Sequence, residues 1–149
     1  MKKILGMFFA AMLVLAGCAG EKPEPAVVTV EMADMNAIAD TPHDECSIEG
    51  GSPRTDIVFR TSTEVMDFTV LGLIINEVRA DGTLDASTRT LYTQEHLTPD
   101  APLVVHLTFY GDLPTYGVSY TDTDGQTVYK TLEISGEDGS LVLNDLVIK

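Results

Sequence analysis

The residues of this chain that could support chemistry begin with a short acidic segment, Asp122-Thr123-Asp124-Gly125-Gln126. It starts like a calcium-binding loop, in which alternate carboxylates and a turn glycine surround a hard cation with oxygen ligands. The next ligand position holds Gln126, and Glu133 falls within a predicted strand of a hairpin. Since Asp-Gly between two alternating segments is typical of a hairpin turn, we predict a turn and keep Asp122 and Asp124 as candidate calcium ligands.

A second group of possible metal ligands lies in His43-Asp44-Glu45-Cys46, which places four ligand types side by side. Neighbouring side chains in an extended chain point in opposite directions, and a metal site normally gathers its ligands from separate elements. One cysteine without a set of partners also cannot form the usual four-ligand zinc site. We therefore interpret the segment as an exposed polar loop with a single incidental thiol, and we predict no metal site there.

Histidines and carboxylates provide the remaining route to catalysis. His106 lies on the polar side of a predicted strand and His96 lies in a turn-like stretch, and the sequence identifies no partner for either. The chain contains no Gly-x-Ser-x-Gly elbow, no His-Glu-x-x-His motif and no phosphate-binding glycine loop. An enzyme is therefore disfavoured. A hydrolase that assembles its site in three dimensions from His43, His96 or His106 and distant carboxylates stays open as an alternative.

The elements that must position these residues are strands, because apolar residues alternate with polar ones along much of the chain. The alternation is clearest from Leu103 to Tyr110, and the apolar run 71–75 is predicted to be buried on both faces, with Gly72 as a candidate bulge. Asp81-Gly82 and Asp124-Gly125 are predicted to form tight turns. Further predicted strands cover 28–32, 57–61, 66–70, 84–92, 116–120, 128–134 and 141–148.

About eight strands joined by short turns predict an all-β domain. We predict an antiparallel β-sandwich of about 7–8 strands, immunoglobulin-like or similar, because two sheets that each bury one face pack together to form a core. A small barrel is the alternative closure. Residues 33–56 interrupt the pattern with two prolines and two glycines, so this segment is predicted to be a long irregular loop with at most a helical turn near 35–39.

The first seventeen residues have the composition of an export signal. Lys2 and Lys3 give a positive start, and residues 4–16 follow without a charge. A membrane-spanning helix needs about 20 apolar residues, whereas this run is shorter and is followed by a segment with two prolines and three charges. We predict a signal peptide over 1–17, an extended tether over 18–26 and the β-sandwich domain over 27–149.

The signal ends in Leu15-Ala16-Gly17-Cys18, an apolar residue and two small residues before a cysteine. This segment resembles the lipobox of bacterial lipoproteins. The resemblance implies cleavage before Cys18, a diacylglycerol on its thiol and, often, a further acyl chain such as palmitate on the new amino group. Two or three chains make a stable membrane anchor. The alternative is an ordinary secretory signal that is cleaved at a small residue, with Cys18 merely nearby.

The residue after the cysteine bears on which membrane would hold the anchor. An aspartate directly after the cysteine would resemble the inner-membrane retention signal of bacteria with two membranes. Here this position holds Ala19. The expected location is therefore the outer membrane, if there is one, or else the outer face of the cytoplasmic membrane. In either case the β domain is expected outside the cytoplasm.

Charge and cysteine content limit the partners of the mature protein. Two of the 9 basic residues lie in the signal, so the 132 residues from Cys18 onward carry 7 basic and 23 acidic side chains, a net charge of −16. Nucleic acids and anionic lipid surfaces both need clustered Lys and Arg, so we predict neither as a partner of this domain. After lipidation only Cys46 keeps a thiol, so no disulfide within the chain is expected.

Residues 97–105, 117–122 and 135–141 carry a second resemblance, to an uncharacterised family of small exported β domains of bacteria. That resemblance implies a compact β domain and brings no activity or site residues with it. We therefore expect a membrane-anchored envelope lipoprotein whose β-sandwich has a non-catalytic role in binding, adhesion or assembly, with an envelope protein as a possible partner. A calcium-dependent binding module is one alternative and a hydrolase is the other.

Overall fold

The computed structural model describes residues 24–111 and 113–148. In this part of the chain the secondary structure is almost entirely β, with one helical turn, α1 (Met35–Ile38). The nine strands are β1 (Val28–Met32), β2 (Asp44–Ser47), β3 (Thr55–Thr61), β4 (Val65–Val78), β5 (Leu84–Leu97), β6 (Leu103–Leu107), β7 (Tyr116–Thr121), β8 (Thr127–Ile134) and β9 (Leu141–Asp145).

The strands form two sheets that pack face to face as a β-sandwich, which confirms the predicted fold class. The smaller sheet has the order β1-β3-β6-β2 and the larger has the order β5-β4-β7-β8-β9. Neither sheet closes on itself, so the small barrel does not form. Strand pairing is antiparallel except between β2 and β6, which run parallel. β1 approaches β9 on one side of the sandwich, so β2 and β5 form the edges on the other side.

The main core lies between the two sheets, where the alternating apolar residues of both meet. Phe59 of the smaller sheet and Phe68 of the larger are fully buried, with ring centroids 5.2 Å apart and the rings tilted by 56°. Such tilted pairs add to the stabilisation from burying their area. The other buried residues of this core are Cys46, Ile48, Ile57, Val65, Val70, Leu97, Leu103, Val105, Leu107, Tyr116, Val118, Tyr120, Leu132 and Leu141.

Both sheets also bury part of their outer face under a short segment of chain. On the smaller sheet, Ile38 of α1 packs on Val58 and Val104, and the Asp34 carboxylate caps this helical turn. On the larger sheet, Leu71 and Leu73 are covered by the segment after β9, which contributes Leu146 and Ile148. The run 71–75 was predicted to be buried on both faces, and Ile74 departs from that prediction with 63% of its surface exposed.

The exposure of Ile74 follows from the unequal lengths of the sheets. β4 and β5 each contain 14 residues, whereas the strands of the smaller sheet contain between 4 and 7. Ile74 follows Phe68 and Val70 at intervals of two, so it lies on the side of β4 that faces the core. At that distance along the strand the smaller sheet has ended, and this face of β4 is open to solvent.

Register shifts adjust the two long strands to their neighbours. Leu91 is an extra residue of β5, between the pairs Val70↔Tyr92 and Leu71↔Thr90, so the bulge lies opposite the residues before Gly72 rather than at Gly72 itself. A second irregularity lies at Asp67, whose φ is 52°. Asp tolerates this left-handed conformation better than bulky residues do.

One element was not predicted. β2 lies inside residues 33–56, the segment predicted to be irregular, and it raises the number of strands to nine. The helical turn expected near 35–39 is present as α1. The turns predicted at Asp81-Gly82 and Asp124-Gly125 are also present, and both glycines have a positive φ, 82° and 76° respectively.

Candidate functional site

A cleft with a volume of about 560 Å³ lies where the larger sheet extends beyond the smaller one. Its floor comes from β4 and β5, at Gly72, Ile74 and Leu91, and its wall comes from the segment that leaves β2, Ser47 to Glu49. Gly72 keeps the floor low because it has no side chain. This volume lies within the range of small-ligand sites, roughly 300–1,000 Å³.

The cleft combines apolar surface with one cation, Arg89, one carboxylate, Glu49, and several hydroxyl groups. Ile48 and Ile74 contribute apolar area, and Thr90 and Thr115 contribute hydroxyl groups. Arg89 also lines the cleft, and it has neither an ion pair nor a hydrogen bond within residues 24–111 and 113–148. The other basic side chains of the described residues, Arg54, Arg60, Arg79 and Lys130, each donate at least one hydrogen bond. A guanidinium that has no partner among the described residues and lies next to apolar surface can pair with an anionic group on an apolar ligand.

The outer wall of the cleft is held by close packing of a glycine pair against Tyr110. The Tyr110 hydroxyl accepts a hydrogen bond from the Gly51 backbone N–H, and the Thr108 hydroxyl donates to the Gly51 carbonyl at 2.8 Å. A Cβ atom at Gly50 would lie 3.1 Å from the Tyr110 hydroxyl and 3.3 Å from Thr108. A larger residue at either glycine would require the Tyr110 or Thr108 side chain to move by a few tenths of an ångström, so the glycine pair allows this close packing of the wall.

A second polar arrangement lies on the outer face of the smaller sheet, around His106. His106 Nδ1 lies 2.6 Å from Asp56 Oδ1, and His106 Nε2 lies 2.6 Å from Glu45 Oε1. Asp56 is directly opposite His106 in the β3–β6 ladder, and Glu45 reaches it diagonally from β2. Glu45 Oε2 is also 3.9 Å from His43 Nε2. Strand pairing thus assembles a cluster that no linear motif indicated.

The cluster favours the charged form of His106. The hydrogen bond to Asp56 raises the pKa of His106 above its ordinary value, burial of the ring opposes this rise, and the hydrogen bond to Glu45 adds to it. Carboxylate oxygens at both ring nitrogens leave neither nitrogen directed at a substrate. A general base needs one nitrogen within reach of the proton that it removes, and this arrangement does not provide one.

The remaining histidines lie apart from the cleft. His96 Nδ1 on β5 is 2.8 Å from Glu64 Oε1, and the His43 Nδ1–H donates to the Thr41 carbonyl at 2.8 Å. Neither of these residues, nor His106, lines the cleft. Among the residues that the structure describes, no group of three or more His, Cys, Asp or Glu side chains is arranged to hold a metal ion.

Residues 43–46 were predicted to form an exposed loop, and for Cys46 this prediction is wrong, because its side chain belongs to the core. It is buried on the inner face of β2, whereas Glu45 points to the outer face. Desolvation by burial, with a smaller contribution from the Glu45 charge, raises the pKa of the Cys46 thiol to about 11. Because the thiolate is the nucleophilic form, the side chain is unreactive at neutral pH while β2 stays in place.

The acidic segment at Asp122 forms the predicted turn between β7 and β8. One carboxylate oxygen of Asp122 accepts hydrogen bonds from the backbone N–H groups of Asp124 at 3.0 Å and Gln126 at 2.9 Å. Asp side chains commonly close turns in this way. The carboxylate of the first candidate calcium ligand is therefore already used to stabilise the hairpin.

We expect millimolar calcium to leave the melting temperature unchanged, because Asp122 is engaged in the turn and no group of three or more acidic, His or Cys side chains among the described residues is arranged to hold a metal ion. Asp122→Ala should instead lower the free energy of unfolding by about 1 kcal/mol, equally with calcium and with a chelator. Calorimetry under both conditions measures the two effects. A rise of several degrees in calcium that Asp122→Ala abolishes would show that the turn binds the ion.

Cys18 and the tether up to residue 23 lie outside the described residues, so the lipidation site stays a prediction from the sequence. None of the helices in the described residues is long and apolar enough to span a membrane. A scan against protein-family models matches no family, and searches of the curated proteins and of the solved structures give no match.

Proposed function

We propose that this protein is a lipid-anchored, extracytoplasmic binding module whose cleft takes a partner or ligand at the cell envelope. The observation that carries the proposal is the segment Leu15-Ala16-Gly17-Cys18. It lies at the end of an uncharged run that follows two lysines. The uncharged run is too short to span a bilayer, and the small residues before Cys18 suit cleavage and lipidation.

The arrangement of the chain supports this anchor. β1 begins at Val28, ten residues after Cys18, and the intervening residues include Pro23 and Pro25. From its composition we expect this proline-containing segment to be extended and to hold the sandwich away from the lipid surface. The acidic domain would also be repelled by anionic lipids, which favours a free orientation over one that lies against the bilayer.

The cleft supports a binding role more strongly than a catalytic one. Its surface combines Ile48 and Ile74 with Arg89, which has no partner in the part of the chain that the structure describes. This combination suits a partner that presents an apolar group next to a carboxylate or another anion. No histidine lines the cleft, and both ring nitrogens of His106 are engaged elsewhere. The chemistry on the cleft surface is therefore recognition by shape, charge and hydroxyl groups.

Site-specific photo-crosslinking in living cells tests the binding role. A photoreactive residue at Ile74 is expected to give a discrete crosslinked product, because this side chain is 63% exposed within the cleft. Val78 provides a matched control on the same strand, since it is 54% exposed but does not line the cleft. Equal products from both positions, or none from either, would contradict the assignment of the cleft as the binding surface.

A further inference from the structure

We propose that Glu45, His106 and Asp56 form a proton-operated latch that holds the edge strand β2, and with it the wall of the cleft, against the sandwich. The latch connects three neighbouring strands, because Glu45 lies on β2, His106 on β6 and Asp56 on β3. Its control over the cleft rests on the proposed binding function. The latch itself does not, and it can be tested without a ligand or an anchor.

The geometry requires a proton on each ring nitrogen of His106. Carboxylate oxygens only accept hydrogen bonds, and one lies 2.6 Å from Nδ1 and another 2.6 Å from Nε2. The doubly protonated ring can donate to Asp56 and Glu45 at once. Helical turn α1 covers Val104 and Val58, which lie on the same face as His106 and Asp56 and two residues away from them. The His106 side chain is only 15% exposed. Water therefore competes weakly for the ring.

Loss of one proton breaks one of the two contacts. A neutral imidazole has a single N–H group, so its other nitrogen presents a lone pair to a carboxylate oxygen. We expect the remaining proton to stay on Nδ1, because Asp56 lies directly opposite His106 and its side chain is less exposed, at 41%, than that of Glu45, at 53%. Glu45 then loses its donor. Its side chain is 53% exposed and can turn into solvent.

The other charged groups near the ring do not replace the lost contact. The Arg54 guanidinium donates to the backbone carbonyl of His106 at 3.4 Å and does not contact the imidazole. His43 faces Glu45 from the other side, with Nε2 3.9 Å from Oε2. His43 can offer Glu45 an alternative partner when Glu45 turns away, but it is attached to the same strand and cannot hold β2 to β6.

Besides this cluster, β2 is held by one neighbouring strand and by contacts just beyond its end. The strand has four residues and, among the described residues, pairs only with β6, with flanking backbone hydrogen bonds from Asp44 N to the Pro102 carbonyl at 3.0 Å and from Ile48 N to the His106 carbonyl at 2.8 Å. The Gly51 contacts with Tyr110 and Thr108 hold the far end of the wall. Cys46 and Ile48 supply the buried side chains of β2 and its extension. Ile48 continues into the wall of the cleft, so release of β2 would disturb that wall and expose the Cys46 thiol.

The direction of the pH effect follows from the raised pKa of His106. A group whose pKa is higher in the folded protein stabilises the fold fully below its unfolded value, about 6.5 for histidine, and loses this contribution as the pH rises through the folded value. β2 should therefore be held firmly in mildly acidic conditions. It should open more often as the pH rises above about 6.5 and passes the raised pKa.

Amide hydrogen exchange of the full chain, corrected for the intrinsic effect of pH, measures this opening. Protection of the β2 and Ile48 amides is expected to fall roughly tenfold across the titration of His106, because one charge-assisted hydrogen bond is lost. In His106→Gln the same amides should show low protection that does not change with pH. Glu45→Gln should also make the protection of these amides independent of pH. Because it disturbs the sheet less, this variant can be measured if His106→Gln does not fold.

His96→Gln is the matched control, since His96 also contacts a carboxylate, that of Glu64, but lies on the other sheet. It should keep the wild-type pH profile at β2. The latch is excluded if wild-type β2 protection does not change through this pH range, or if it changes equally in His106→Gln. A negative result for the lipid anchor or for the crosslink in the cleft would not change these exchange rates. The experiments therefore test the binding function and the latch independently.

Discussion

Replacing Gly117 by alanine is expected to lower the free energy of unfolding by about 2–4 kcal/mol. Gly117 lies in β7, and a Cβ atom there would be 2.5 Å from the backbone carbonyl oxygen of Lys130 in the neighbouring strand β8. A backbone atom in a ladder cannot move away as a flexible side chain can. The methyl group would make only an ordinary contact with Leu73 at 3.4 Å, so the clash with the carbonyl oxygen is what forces the two strands apart.

Gly136→Ala is the matched control for this prediction, because a Cβ atom at Gly136 meets nothing within 4 Å. It should change stability by no more than about 0.5 kcal/mol. Urea unfolding of both variants, followed by circular dichroism, gives the comparison. Equal stability of the two variants would mean that β7 and β8 do not approach each other as described.

Cys18→Ala is expected to move nearly all of the protein out of the membrane fraction. The proposed acyl chains attach the protein to the membrane, and each buried CH₂ group contributes about 0.8 kcal/mol to membrane binding. The exported domain itself carries an excess of acidic residues and should not stay on an anionic lipid surface. Cell fractionation followed by detection of the protein measures the change.

Cys46→Ala controls for the loss of a thiol, because Cys46 is the other cysteine of the chain and is buried in the core. This variant should remain in the membrane fraction even if its fold is somewhat less stable. The anchor would have to lie elsewhere if Cys18→Ala stayed with the membrane as fully as Cys46→Ala.

The strands with clear alternation of apolar and polar residues could be predicted, because their sequence period matches their burial. β6 is an example, since Leu103, Val105 and Leu107 all point into the main core. β2 could not be predicted, because it has four residues and only Cys46 among them is buried. Its parallel pairing with β6 adds no local sequence signal, since the partner lies more than fifty residues away.

The candidate sites were harder to predict than the strands. The side chains of neighbouring residues within 43–46 were expected to point in opposite directions, and Glu45 and Cys46 do so. Residues two apart share a face, however, so the side chains of His43 and Glu45 lie together. Only the β2–β6–β3 order then brings His106 and Asp56 to Glu45. The cleft likewise depends on where the smaller sheet ends, which no single strand encodes.

Mass spectrometry of the mature protein from cell membranes examines the proposed anchor directly. We expect the chain to begin at Cys18 and this residue to carry a diacylglycerol thioether, with or without a further acyl group on its amine. A chain that still begins at Met1, with a free thiol at Cys18, would contradict the proposed anchor.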